Sequence, residues 1–449
     1  MNDPQQPTIV LVDGEHYPPV VARAITQLKA QGVMPLLALL VGGSEKSGQV
    51  PWEIGVPLEQ SLGDPEAALA SAIDRTGATR VIDLSDEPVL GYEMRCRLAS
   101  VALWKNADYL GADFEFTPPP RPGPLKVPSM AVIGTGKRSG KTSIGATAAR
   151  LLRSEGFNPV VVAMGRGGPA EPQILPAGAD LSPKALLNFV AEGRHAASDY
   201  IEDALMSGAP TVGAWRAGGG MAGGVSFTNY DKAVEAALEL DPGMLLLEGS
   251  GSALPPICWH SGLLVVDARI DPGHLCGYFG LYRLLLVDLV VLTMCEQSID
   301  SGHLDALDRC IRRSTLNQPT AVRTVFRPYP LGEVSGKKIW LATTASEQAA
   351  DVLKDHLIDN FEAEVVGVSN SLADRSGLMR DLRQMEKVGA ETLVVELKAA
   401  AVDVATKHAL KAGIEVVYLD NRPQAAAGEE KEITDELFRV AQLAKERCG

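Results

Sequence analysis

The chain has 449 residues, 46% of them hydrophobic, and its 42 lysines and arginines against 56 aspartates and glutamates give a formal net charge of −14. That length exceeds what one core usually organises, so two or three domains are expected. The acidic balance and the 5% aromatic content argue against a nucleic-acid binder or a polybasic membrane-surface protein, because the long-range field repels polyanions and stacking platforms are few.

In chain order, residues 1–6 lack the basic and apolar regions of a secretory signal. Thr8–Val12 reads as a strand, Val21, Ala24, Ile25 and Leu28 repeat at helical spacing, and further strands are expected at Leu36–Val41 and Arg80–Leu84. Thr117–Pro128 holds six prolines in twelve residues and reads as a semi-rigid linker. A second strand series follows at Met130–Ile133, Pro159–Met164, Met244–Leu247, Leu263–Val266 and Asp288–Thr293. A third comprises Lys338–Thr343, Glu364–Val368, Leu393–Glu396 and Glu415–Leu419. Strands alternating with amphipathic helices imply an α/β protein with parallel sheets. The expected division is an N-terminal Rossmann-like α/β domain at 1–125, a P-loop nucleotide-binding domain at 126–330, and a C-terminal α/β region at 331–449. That last region either completes the central sheet or stands as a separate domain.

The longest apolar run, Leu284–Met294, is broken by Asp288 and too short to span a bilayer. Cys96, Cys258, Cys276, Cys295, Cys310 and Cys448 show no framework spacing, which suits a reducing cytosol. Cys258-x-His260 and His274-x-Cys276 are spaced too closely for the usual zinc patterns. A cytoplasmic location and no membrane partner are expected.

The clearest chemical signal runs from Ala131 to Ser143 (AVIGTGKRSGKTS): an apolar strand, a glycine-rich loop, then a helix with Ile144, Ala148, Leu151 and Leu152 on one face. Backbone amides of such a loop curl around phosphate, and the helix N-terminus adds its positive dipole end. Gly136, Lys137, Arg138, Ser139, Gly140, Lys141, Thr142 and Ser143 would line the nucleotide. Lys141 would reach the β- and γ-phosphates and Thr142 would ligate Mg²⁺. The spacing departs from the common P-loop, since Thr135 stands where the first glycine falls; it resembles the variant loop of dethiobiotin synthetase. A strand ending at Glu248-Gly249, about a hundred residues on, offers a second hard oxygen ligand for Mg²⁺.

Arg166, in Gly165-Arg-Gly-Gly-Pro169, ends the next strand, and Arg216 lies in a second glycine-rich loop at 215–224. With Lys137 and Arg138 they make four cations beyond what ATP requires, which suggests a second phosphorylated ligand. His195 is a secondary candidate for a phosphate contact. Lys141, Lys137, Arg138 and Glu248 are the expected catalytic set, with Arg166, Arg216 and His195 for substrate.

With these segments, the strings Val12-Asp-Gly-Glu-His-Tyr-Pro-Pro19, Val41-Gly-Gly-Ser-Glu45 and Leu247-Glu-Gly-Ser-Gly251 make nearly the whole chain resemble the cyclic 2,3-diphosphoglycerate synthetase family. The resemblance implies ATP-dependent closure of 2,3-diphosphoglycerate to a cyclic anhydride, releasing ADP and phosphate. It leaves the roles of Asp13, Glu15 and His16 open, and a homodimer is expected. Each phosphomonoester carries about −1.5 to −2, so with its carboxylate the substrate carries about −4 to −5, and the surplus cations suit it. Two further readings stand beside this one. The first is a 2-phosphoglycerate kinase or dethiobiotin-like ligase. The second is a nucleotide-driven switch or metallochaperone, although no Asn-Lys-x-Asp segment marks a guanine reader.

Overall fold

The computed structural model describes residues 6–43, 52–296 and 298–449; Ser44 and Glu45 of the second family string lie outside them. The N-terminal part contains β1 (Pro7–Val12), α1 (Pro18–Ala30), β2 (Met34–Leu40), β3 (Leu58–Gln60), α2 (Pro65–Thr76), β4 (Arg80–Asp83), α3 (Tyr92–Trp104), β5 (Asp108–Leu110) and β6 (Glu115–Phe116). Its sheet has the order β3-β2-β1-β4-β5-β6, parallel except at β6. Helix starts are written locally. Asp64 caps α2 by accepting from Ala67 N, Pro65 sits in the first turn, and Gly77 closes the helix in the left-handed region.

The central part runs β7 (Ser129–Gly134), α4 (Lys141–Ser154), β8 (Pro159–Gly165), β9 (Gln173–Leu175), α5 (Pro183–Ala191), α6 (Asp199–Ser207), β10 (Thr211–Ala217), β11 (Phe227–Thr228) and α7 (Tyr230–Leu238). It continues through β12 (Met244–Glu248), β13 (Ser261–Asp267), α8 (Pro272–Cys276), α9 (Gly280–Leu285), β14 (Leu289–Thr293), α10 (Ser301–Arg312) and β15 (Thr320–Pro330). The C-terminal part holds β16 (Lys338–Ala342), α11 (Glu347–Phe361), β17 (Glu364–Ser369), α12 (Arg375–Lys387) and β18 (Thr392–Glu396). A π-helical turn (Ala401–Thr406), α13 (Lys407–Lys411), β19 (Glu415–Ala425) and α14 (Ile433–Cys448) complete it.

One hydrogen-bonded ladder, β11-β10-β8-β12-β7-β13-β14-β15-β19-β18-β16-β17, crosses both of these parts. The question left open by the sequence is answered by β15. Its first half pairs parallel with β14, and its second half, Thr324–Pro330, pairs antiparallel with β19. Strands β7, β8, β12 and β14 are buried at every position, which is why they read as unbroken apolar runs. The sequence reading did not pick out β10, β15 or the short strands.

The N-terminal part seats its α3 on α9, and the two share one apolar cluster that includes Leu98, Val101, Leu281 and Leu285. Arg97 is buried between Glu66 and the Cys276 carbonyl. The proline-rich stretch at 117–128 contains no helix or strand and is tied down by Cys258 N donating to Pro122 O. Among the described residues no helix is long and apolar enough to cross a membrane.

Candidate active site

The phosphate loop hangs from the carboxyl end of β7, between β12 and β13. Gly140 precedes α4 at φ +86°, and a Cβ there would lie 2.3 Å from the Phe326 ring, so glycine is demanded twice. Thr293 Oγ1, at the end of β14, donates to Ser139 O at 2.8 Å and fixes the loop's middle. Helix α4 starts without a side-chain cap, which leaves its first amides for an anion. Lys137 and Arg138 are exposed on the loop, while Ser139 and Ser143 are buried.

Lys141 is turned inward. Its Nζ donates to Glu248 Oε2 at 2.7 Å, with the two side chains 11% and 2% exposed. Gly145 makes room for this pair, since a Cβ there would lie 2.0 Å from Glu248 Oε1. Three carboxylates of α6, Asp199, Glu202 and Asp203, join the cluster. Burial acts to lower the Lys141 pKa, but Glu248, Asp203 and Asp199 outweigh it and hold the ammonium above its ordinary range. Burial raises Glu248, partly offset by Lys141. It raises Asp203 strongly, with Glu248 adding to the effect, and neither Asp203 oxygen has a hydrogen-bond partner. Glu202 is pushed up to about 7 by burial, opposed by Lys398 and reinforced by Asp199 and Glu396. Lys398, which follows β18, stands 3.6 Å from Glu202, so the C-terminal part closes this cluster.

The sequence reading stopped short of Asp199, Glu202 and Asp203. Their signal was the run Asp199-Tyr-Ile-Glu-Asp203 at a helix start, where i, i+3 and i, i+4 spacing sets Asp199 beside Glu202 and Asp203.

Arg216 reaches back from β10 across the sheet edge. Its Nη2 donates to Ser250 O at 2.9 Å, in the turn that follows Glu248, and its Nη1 to Gly218 O at 3.0 Å. Burial lowers its pKa, and the nearby Arg166 adds to that. Arg166 is exposed at the end of β8. Among the described residues neither arginine pairs with a carboxylate within 4 Å. His195 is exposed and lies against Gly167, 3.3 Å from where a Cβ would stand. Arg166, Arg216 and His195 thus cluster around the loops after β8 and β10, on the same edge as the phosphate loop.

At the carboxyl end of β1, Asp13 is fully buried. It accepts from Glu15 N, His16 N, His16 Nδ1 and Asp86 N. Burial raises its pKa, but these bonds leave it below the ordinary value. The cysteines behave differently from expectation. Cys276 and Cys310, 34 residues apart, are disulfide-bonded because α8 and α10 lie side by side, a proximity that local spacing cannot reveal. His260 meets Ser129 Oγ at 2.9 Å. Among the described residues no group of three or more His, Cys, Asp or Glu side chains could hold a metal.

A parallel sheet that delivers a glycine loop, an uncapped helix start, an inward lysine and a strand-end carboxylate to one edge defines a P-loop nucleotide-binding protein. Sequence comparison then resolves the class. The N-terminal, P-loop and C-terminal domain models of cyclic 2,3-diphosphoglycerate synthetase match residues 7–117, 129–325 and 330–422, so the chain belongs to the cyclic 2,3-diphosphoglycerate synthetase family. A relative of that name from Rubrobacter xylanophilus is 44% identical over 440 residues, 97% of each chain. Another from Methanothermobacter thermautotrophicus is 42% identical over 450 residues, 97% of this chain and 96% of the other. Among solved structures, LpxK from Aquifex aeolicus with ATP covers 71% of this chain and 90% of its own. Its identity to this chain is 14% and its TM-score 0.40.

Proposed function

We propose that this protein uses ATP to close 2,3-diphosphoglycerate into its cyclic anhydride, releasing ADP and phosphate. The observation that carries this reading is the division of charge at one sheet edge. A buried Lys141–Glu248–Asp203 cluster lies under the phosphate loop, and beside it, at the ends of β8 and β10, stand Arg166 and Arg216, which among the described residues pair with no carboxylate. In the first step an oxygen of one substrate phosphate attacks the γ-phosphorus, and ADP leaves. In the second, the neighbouring phosphate attacks the inner phosphorus of the new pyrophosphate; the bond to the outer phosphoryl group breaks, and inorganic phosphate departs. Such transfers are accelerated by positioning and charge neutralisation.

Lys141 supplies part of that by exchanging Glu248 for the nucleotide's phosphates, and Arg166, Arg216, Lys137 and Arg138 hold the second anion against it, with His195 as a further donor. That exchange strips Glu248 and Asp203 of their cation. A hard oxygen set of Thr142, Glu248 and the unpartnered Asp203 suits Mg²⁺, which favours one or two carboxylates completed by phosphates over an all-protein cage. Mg²⁺, when bound, would neutralise charge developing on the transferring phosphoryl group. We read the chain as three units, 1–125, 126–330 and 331–449, working in the cytoplasm as a homodimer.

Phosphorus NMR of the products formed from ATP with a panel of phosphoglycerates tests the reading. Free phosphate produced in step with ADP, together with a cyclic product, supports it. A new phosphomonoester would instead indicate a kinase, and nucleotide turnover indifferent to phosphoglycerates a switch. Lys141→Ala should abolish turnover.

A further inference from the structure

A cation outside the sites described so far is built into the same edge. Arg283, on α9, is 6% exposed, and among the described residues no carboxylate pairs with it. Its partners are carbonyls. Nη2 donates to Ser252 O at 2.8 Å and Nη1 to Phe279 O at 3.0 Å; both lie 3.5 Å from Met221 O, and Nε is buried without a partner. Burial lowers its pKa to about 10, opposed by Tyr282. A second guanidinium, Arg121, lies beside Tyr282 and over the Trp259 ring, 4.9 Å from its centroid. Buried charges are ordinarily paired, and here buried Arg283 and half-buried Arg121 share a neighbourhood in which, among the described residues, neither pairs with a carboxylate.

The geometry shows what Arg283 holds. Ser252 belongs to the turn after Glu248, in which Ser250 N and O pair with Ala253 O and N. Met221 belongs to the glycine-rich loop that follows Arg216. Leu254 N donates to Gly223 O at 2.8 Å, joining the two segments. Gly223, at φ +85°, allows the approach: a Cβ there would lie 2.7 Å from Leu254, 3.0 Å from Ser252 O and 3.2 Å from Arg283 Nη2. Arg216 grips the same turn through Ser250 O. Two arginines, one from β10 and one from α9, thus hold one short turn by its carbonyls.

We propose that Arg283 is a positioning residue for the anionic substrate: it locks the Ser250–Ala253 turn and the 218–224 loop in one arrangement and lends both an unneutralised positive charge. The proposal rests on the cyclase reading above. The phosphate loop has an anchor of its own in Thr293, so ATP affinity is expected to survive loss of this clip. The test measures KM for diphosphoglycerate, kcat, and ATP affinity by calorimetry for wild type, Arg283→Met and Arg283→Lys.

Loss of hydrogen bonds from a charged donor should raise KM for diphosphoglycerate roughly ten- to a hundredfold in Arg283→Met, with ATP affinity within about twofold of wild type. Arg283→Lys keeps the charge without the fork and should fall between the two, which also serves if Arg283→Met does not fold. Cleavage by trypsin after Arg216 should quicken in both variants. An unchanged KM for diphosphoglycerate in both, or an equal loss of ATP affinity, would overturn the proposal. Wild-type protein that does not turn over diphosphoglycerate would defeat the cyclase reading itself, before any variant is compared.

Discussion

Replacing Lys141 by methionine tests the buried charge cluster through stability as well as activity. The ammonium is the counter-ion in direct contact with Glu248 and lies within electrostatic reach of Asp203 and Asp199. Removing one partner of a buried pair typically costs about 3–5 kcal/mol, because the other charge is left uncompensated. The cost depends on pH in a defined direction. Burial already raises the Glu248 and Asp203 pKa values, and Lys141 pulls both down; without it they rise further. A carboxylate whose folded pKa lies above its unfolded value contributes stability at low pH and loses it as pH rises through the folded value. Lys141→Met should therefore lower the urea midpoint strongly at pH 8 and less at pH 5.5, where the carboxylates take up protons. Adding Glu248→Gln should recover much of the loss, since replacing both partners is far milder than orphaning one. A deficit equal at both pH values, or no recovery in the double variant, would refute the reasoning.

Glu202→Gln should flatten part of the pH dependence of stability. Its carboxyl is raised from 4.5 to about 7, first by burial, so the wild type loses up to about 3 kcal/mol between those values at 1.36 kcal/mol per unit; unfolding midpoints at pH 5 and pH 8 that differ as much in the variant as in wild type would count against this. Arg166→Ala and Arg216→Ala should chiefly raise the diphosphoglycerate requirement, and calorimetry showing an equal loss of ATP affinity would overturn their assignment. Gly145→Ala forces a Cβ onto the Glu248 carboxylate, and thermal unfolding should register an overpacking cost of about 1–3 kcal/mol alongside reduced turnover.

How much of this was legible in the sequence follows from what each residue depends on. Strands β7, β8, β12 and β14 carry their own signature because both faces are covered, and the phosphate loop declares itself in one continuous string. β15 does not, because its residues serve two neighbours: Arg323 and Arg327 interrupt the apolar pattern, the pairing changes from parallel to antiparallel between Arg323 and Thr324, and Pro328 and Pro330 break the strand signal in its second half. β10 hides behind Gly213 and Arg216 at the edge of a glycine-rich segment. Lys398 and Glu202 are distant in sequence, and the β15–β19 ladder, with α4 and α5 packing on the C-terminal part, brings that part against α6. Arg283 sits in an apolar helix that reads as core, and its work depends on carbonyls that no side-chain pattern encodes.

The net charge of −14 is no obstacle to a substrate of opposite demand, because fields from exposed charges fade within about 8 Å at physiological ionic strength while buried cations are screened far less. What matters is how sign is distributed along the sheet edge. Acidic side chains gather beneath the phosphate loop, from α6 and the end of β12, where Lys141 balances them. Cations gather at the end of β8 (Arg166), on β10 (Arg216) and on α9 (Arg283), the last two held by carbonyls instead of carboxylates, so their charge is not consumed there. A carbonyl orients a guanidinium without neutralising it. That choice of partner at Arg216 and Arg283 keeps a positive surface available in an acidic chain, and it is the physical reason the second ligand is read as a polyanion.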